Sequence, residues 1–198
     1  MFRVLIACAF LGNATVRTDD IHRLVWRIYP YVAAELFLRW REDELPEVLE
    51  TVLNCLERHE LIDADESRTE WRRPPPDSEQ AVQLSLLAQA TIQTVERYYL
   101  AIAHLVRAGT GRISQSDLEK RCQLTAQRMV MLYGLNSPEF FDRTMFENFI
   151  DLLRERGVIR IAAEGKLEFD DVLLRVADDA QFVLSEQIRH SILQVTHA

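Results

Sequence analysis

Apolar residues recur three and four apart along most of the chain. Leu45, Val48, Leu49, Val52, Leu53 and Leu56 place one apolar stripe on a helix over 45–59, and that stripe is expected to face a core. The same spacing predicts helices over the N-terminal run FRVLIACAFL, over Ile21–Leu38, and over 80–107, 140–156 and 170–196. Pro30 lies inside the Ile21–Leu38 pattern and should break or kink it, because proline removes an amide donor and crowds the preceding turn. Short extended links are expected at Asn13–Arg17 and Thr110–Ser114, with Thr18, Ser114 and Ser116 as helix caps. Glu164-Gly165, flanked by Ile159, Ile161, Leu167 and Phe169, predicts a tight hairpin.

A gap-free shift of 97 residues superimposes one half of this pattern on the other. Val16 meets Ile113, Asp20 meets Asp117, Ile21 meets Leu118, Leu49 meets Phe146, and Leu61-Ile62 meets Val158-Ile159. Gly12 meets Gly109, each expected to stop an apolar helix by adopting positive φ. Each copy reads as helix, extended link, helix, helix and then a hydrophobic pair running into a polar stretch, LIDADESRTEW in one and VIRIAAEGKLEF in the other. Helices followed by a hairpin wing give the order of a winged-helix module. The predicted fold is therefore mainly α, with two winged-helix-like repeats, small hairpin wings and extra flanking helices. The run WRRPPPD at Trp71–Asp77 forbids helix, so the predicted division is a first unit over 1–73, a Pro-rich link over 74–79 and a second unit over 80–198.

Charge narrows the partners. The chain carries 23 Lys and Arg against 31 Asp and Glu, a net −8. Residues 41–80 alone carry −8, while 1–40 and 81–160 are each +2 and 161–198 are −4. The helix at 45–59, which would read a duplex in a nucleic-acid-binding module of this type, holds Glu47, Glu50 and Glu57 against Arg58. Phosphates would be repelled there. Association of the mildly basic segments with an anionic membrane surface is a separate reading.

Chemistry is sparse. Six glycines, of which only Gly109 and Gly111 lie close together, cannot build a phosphate loop, a dinucleotide fingerprint or a nucleophile elbow. His22, His59, His104, His190 and His197 are scattered, and Cys8, Cys55 and Cys122 form no CxxC pair; they read as free buried thiols, and no metal or cofactor is expected. Arg41-Glu42-Asp43-Glu44 reads as a solvated helix start. Arg39-Trp40-Arg41 and Trp71-Arg72-Arg73 could meet an anionic partner or brace the core and pair with the acidic run. Glu96-Arg97-Tyr98-Tyr99 reads as packing, with Arg97 in solvent. The eight-residue apolar run near the N-terminus is read as one helix of the fold in preference to a signal peptide. No apolar stretch reaches the ~20 residues of a membrane span.

The segment YPYVAAELFLRWREDELPEVLETVLNCLERHELI at Tyr29–Ile62 resembles the C-terminal region of the bacterial membrane-bound glycerol-3-phosphate acyltransferases. Leu118–Ile159, with SPEFFD inside it, is similar to the same region in the same order and spacing. The resemblance implies a parent enzyme that moves an acyl chain from acyl-carrier protein or acyl-CoA to the sn-1 hydroxyl of glycerol 3-phosphate, the first step of phospholipid synthesis. That family's catalytic signature is a His followed five positions later by an Asp. Here those positions hold Arg27, Ala64, Gly109 and Val195, and His197 has none. No catalytic or substrate-binding residue carries over.

Although it starts with Met1, the chain thus reads as a C-terminal fragment or separately encoded remnant, inactive alone. The expected partner is the parent's catalytic domain, with acyl-carrier protein as a further candidate. The expected location is the cytoplasmic side of the inner membrane, held there peripherally through the parent. Candidate interdomain contacts are Arg39, Trp40, Arg41, Asn136, Pro138, Phe140 and Phe141.

Overall fold

A computed structural model describes residues 2–35, 40–133, 142–162 and 164–184, together with 189, 190, 192 and 194. The fold is mainly helical, 68% helix among the described residues, with small antiparallel sheets. The chain forms two compact units, 1–93 with 182–185 and 94–181 with 186–198.

Unit 1 begins with α1 (Phe2–Ala9), β1 (Thr15–Arg17) and α2 (Thr18–Glu35). A 3-10 turn, Glu42–Glu44, leads into α3 (Leu45–Arg58), followed by β2 (Asp63–Ala64) and β3 (Glu70–Arg72). The three strands form one antiparallel sheet in the order β1-β3-β2, so the first link pairs with the outgoing arm of the hairpin. α1 packs against α2 and α3. The stripe predicted on α3 does face a core, with Leu45, Leu49, Leu53 and Leu56 buried and Val48 and Val52 half-buried beside them. Ile6, Ile21, Leu24 and Trp71 fill the rest of that core.

α4 (Glu79–Ala108) starts from Ser78, whose hydroxyl accepts from the Ala81 amide at 3.1 Å, directly after the non-helical prolines. The change from unit 1 to unit 2 falls within it, between Gln93 and Thr94. Unit 2 continues with α5 (Gln115–Tyr133), α6 (Arg143–Glu155), the antiparallel hairpin β4 (Ile159–Ile161) and β5 (Leu167–Phe169), and α7 (Asp171–Val183) up to Gln181. Ser114 bridges to Lys166, which brings the second link alongside that hairpin. Leu100, Leu105, Leu118, Met129, Phe146, Ile150 and Leu153 form its core, with the rings of Tyr98 and Phe149 stacked at 4.0 Å between centroids.

Several expectations change on contact with the structure. α2 runs unbroken through Pro30, because the lost amide bond is one among many in an eighteen-residue helix packed on both neighbours. Ser114 caps α5, its Oγ accepting from the Asp117 amide at 3.2 Å, but Ser116 lies inside the helix. Thr18 is not a cap, since its hydroxyl donates to the Arg68 carbonyl and accepts from the Trp71 indole. Gly109 adopts the expected positive φ of 84°, but Gly12 does not. α1 closes instead through turn bonds from Phe10 to Ala7 and from Leu11 to Cys8, and the Asn13 side chain covers the Ala9 carbonyl at 2.8 Å. Cys8 and Cys122 are buried free thiols, whereas Cys55 is only half-buried. The helix predicted from Phe140 starts at Arg143, capped by Asp142, whose Oδ1 accepts from the Thr144 amide at 2.9 Å; Phe140 and Phe141 lie outside the described residues.

Candidate functional site

Of the predicted contact residues, Trp40 and Arg41 lie within the described structure, while Arg39, Asn136, Pro138, Phe140 and Phe141 lie outside it. Trp40 is half-buried against Phe2, with ring centroids 5.1 Å apart, and Phe2 in turn stacks on Tyr29 at 5.0 Å. The Tyr29 hydroxyl donates to the Trp40 carbonyl at 2.5 Å, so the second half of α2 and the approach to α3 are tied together. Burial raises the Tyr29 pKa, with the Glu44 charge adding to it. Arg41 grips Asp43 with both Nε and Nη2, at 3.0 and 2.5 Å, and its amide donates to Glu44 at 2.7 Å. That pairing raises the Arg41 pKa and lowers that of Asp43. Arg41 thus braces the exposed acidic turn, and it is exposed itself.

The second aromatic–basic cluster is organised around the hairpin of unit 1. Trp71 is buried, its Nε1 donating to Thr18 Oγ1 at 2.9 Å. The Arg68 guanidinium lies 4.8 Å from the Trp71 ring and bonds Glu57 at 2.8 Å and Asn54 at 2.6 Å on α3. Asp65 holds the turn, accepting from the Thr69 and Glu70 amides and from the Ser67 hydroxyl, and these bonds, Ser67 first, lower its pKa to about 2. The polar positions of α3 nearest the hairpin are therefore committed to the protein itself.

Buried polar chemistry gathers in unit 2, where the sequence suggested only packing. Arg97 is buried, not in solvent, because α4 enters the core at this point with Tyr98, Tyr99 and Leu100 on its faces; its Nη2 donates to Thr94 at 3.3 Å. Glu96 is buried beside it, and burial raises its pKa to about 7, partly opposed by Arg97. His104 on α4 lies 2.9 Å from the Thr125 hydroxyl on α5; burial first, and then the charges of Arg121 and Arg107, together lower its pKa to about 4. Burial also pushes the Cys122 thiol up. Glu119, almost fully covered, is held by Arg143 at 2.7 and 3.0 Å. His104 is thus paired with a hydroxyl and surrounded by positive charge, the reverse of the carboxylate-oriented imidazole of a general base. Among the described residues no group of His, Cys, Asp and Glu could hold a metal ion, and no helix is long and apolar enough to cross a membrane.

Comparisons with known proteins give the chain a family. Residues 2–162 match the family described as the glycerol-3-phosphate acyltransferase C-terminal region. Over 192 residues, 96% of this chain, it is 41% identical to the glycerol-3-phosphate acyltransferases of Pseudomonas putida and Pseudomonas aeruginosa and 40% identical to that of Pseudomonas entomophila. It spans only 23% of the length of each of these relatives. No solved structure matches. With its helical units, its hairpins and a match covering most of its length, the chain belongs to the family of glycerol-3-phosphate acyltransferase C-terminal regions.

Proposed function

We propose that this chain is the non-catalytic part of an enzyme that acylates the sn-1 hydroxyl of glycerol 3-phosphate, and that it serves the catalytic part as a scaffold or contact surface. The observation that carries this reading is a family match to the C-terminal region in a chain where no His is followed five positions later by Asp. The scaffold consists of two winged-helix-like copies, with the Pro-rich stretch 74–79 as the connector between their homologous segments. The sheet order β1-β3-β2 and the recurrence of element boundaries at a shift of 97 residues support that reading, Thr18 falling on Gln115 and Glu70 on Leu167. Contact with the catalytic part runs through the surface around Trp40 and 136–141. Through that parent the chain works at the cytoplasmic face of the inner membrane, where acyl-carrier protein is a further candidate partner.

The test is co-purification of this chain with a separately expressed catalytic part, with acyl transfer measured for each alone and for the mixture. Association together with transfer that appears or rises only on mixing is the expected result. Transfer by this chain alone, or no association and an unchanged rate, would overturn the reading.

A further inference from the structure

Unit 1 carries an open cleft of about 260 Å³ between the end of α1 and the first turns of α4. Phe10, Leu11, Val82 and Leu86 give it an apolar wall, and Val82 and Leu86 are 56% and 59% exposed although they sit one helical turn apart on the same face. Leaving two adjacent aliphatic side chains in water is unfavourable, and a ligand that covers them relieves that cost. At the rim stands Arg73. Its amide donates to the Ala14 carbonyl at 3.0 Å, which fixes its backbone beside β3, and the residue is half-buried. Among the described residues its guanidinium makes no ion pair or hydrogen bond, and no carboxylate lines the cleft. Ser85 and Gln89 are the neutral side-chain donors on the wall.

We infer that this cleft binds a single alkyl chain ending in a carboxylate. One planar guanidinium matches one carboxylate in charge and in its paired donor geometry, whereas a phosphate dianion would call for more positive charge than the cleft offers. The volume lies just under the ~300–1,000 Å³ of ordinary small-molecule sites, so it takes one chain and not two. The apolar wall covers the first methylenes below the head group while the rest of the chain lies along Val82 and Leu86. This inference does not depend on the proposed scaffold role.

The probe is dodecanoate, kept below its micelle concentration and titrated calorimetrically into the full chain, with Arg73→Gln and Leu86→Glu as variants. Both positions lie off the packed core, and circular dichroism checks that the variants fold. Saturable binding at one per chain is expected, weakened about tenfold or more in each variant, with a dodecyl trimethylammonium control also weaker by about tenfold. Absence of saturable binding, equal affinity in the variants or equal binding of the cationic amphiphile would overturn the inference. So would tighter binding of a lysophosphatidate of the same chain length, which would make phosphate the preferred head group. Sedimentation of the same samples gives a further check, because a dimer dissociated by Leu86→Glu would make the cleft an interface between copies and overturn it as well.

Discussion

Glu60 and Gly157 end their helices in the same way. Glu60 has φ 58° and Gly157 has φ 69°. The Glu60 amide donates to Glu57 and the Leu61 amide to Leu56; the Gly157 amide donates to Arg154 and the Val158 amide to Leu153. These paired bonds satisfy the last carbonyls of α3 and α6, and the left-handed residue makes them possible. Arg68 and Gly165 repeat the relationship in the two hairpins, at φ 55° and 73°.

A side chain at such a position costs about 1 kcal/mol, which glycine avoids. Glu60→Gly should therefore stabilise the chain by roughly 0.5 kcal/mol, once the added freedom of the unfolded chain is subtracted. Gly157→Ala should destabilise it by about 1 kcal/mol, through backbone strain alone, since a Cβ there would meet no atom within 4 Å. Urea denaturation of the two variants, read at constant slope, checks both signs.

Thr18→Val should be costly although the residue is small and lies at a helix start. Its hydroxyl serves both the buried Trp71 indole and the Arg68 carbonyl, at 2.9 and 2.7 Å. Valine keeps the shape and strands both groups, so a loss of about 1–3 kcal/mol is expected. A blue or red displacement of tryptophan emission should accompany it; stability equal to the parent would show that water replaces the hydroxyl.

Glu96 and His104 should cancel one another between about pH 4.5 and 6.5. His104 is lowered from 6.5 to about 4, so in that window the unfolded chain binds the extra proton and stability rises with pH. Glu96 is raised from 4.5 to about 7, so the folded chain holds the extra proton and stability falls as pH rises. Glu96→Gln should expose the rising slope, His104→Gln the falling one, each up to about 1.4 kcal/mol per pH unit. Melting at pH 5.0, 5.7 and 6.4, spacings of roughly 0.7 unit chosen to sample that slope, distinguishes them, and parallel profiles in both variants would refute the pairing.

Nucleic acid should not bind. Glu47 and Glu50 stand exposed on α3, and the Arg68 guanidinium is held by Glu57 and Asn54. A short duplex at low salt should run unretarded with the full chain, whereas a salt-sensitive shift would show a basic face elsewhere.

Much of the fold was legible because it depends on local periodicity. The leucine stripe of α3, the extended link at 15–17 and the Glu164-Gly165 turn all follow from side-chain spacing that survives any arrangement of neighbours. The lack of a His–Asp pair was equally legible, since it is a matter of sequence spacing. Pro30 and Thr18 read otherwise from sequence because each answers to neighbours outside its own segment, the packed helices around α2 and the buried indole of Trp71; Gly12 is bypassed locally, because the adjacent Asn13 side chain covers the Ala9 carbonyl.

Sequence by itself determined where most of the helices lie, where the Glu164-Gly165 hairpin turns, and that no His is followed five positions later by Asp; the helix expected over 170–196 instead ends at Val183, and the sequence did not mark the hairpin at β2 and β3. Only the tertiary structure decided which polar residues leave water. Glu96, Arg97 and His104 carry no sequence mark that separates them from surface residues, and the titration of Glu96 and His104 follows from the burial that the fold gives them. The cleft beside Arg73 is likewise a product of assembly, because residues 10, 73 and 86 become neighbours only when α1, the proline connector and α4 pack together. Burial and desolvation are properties of the folded surface, and linear order does not contain them.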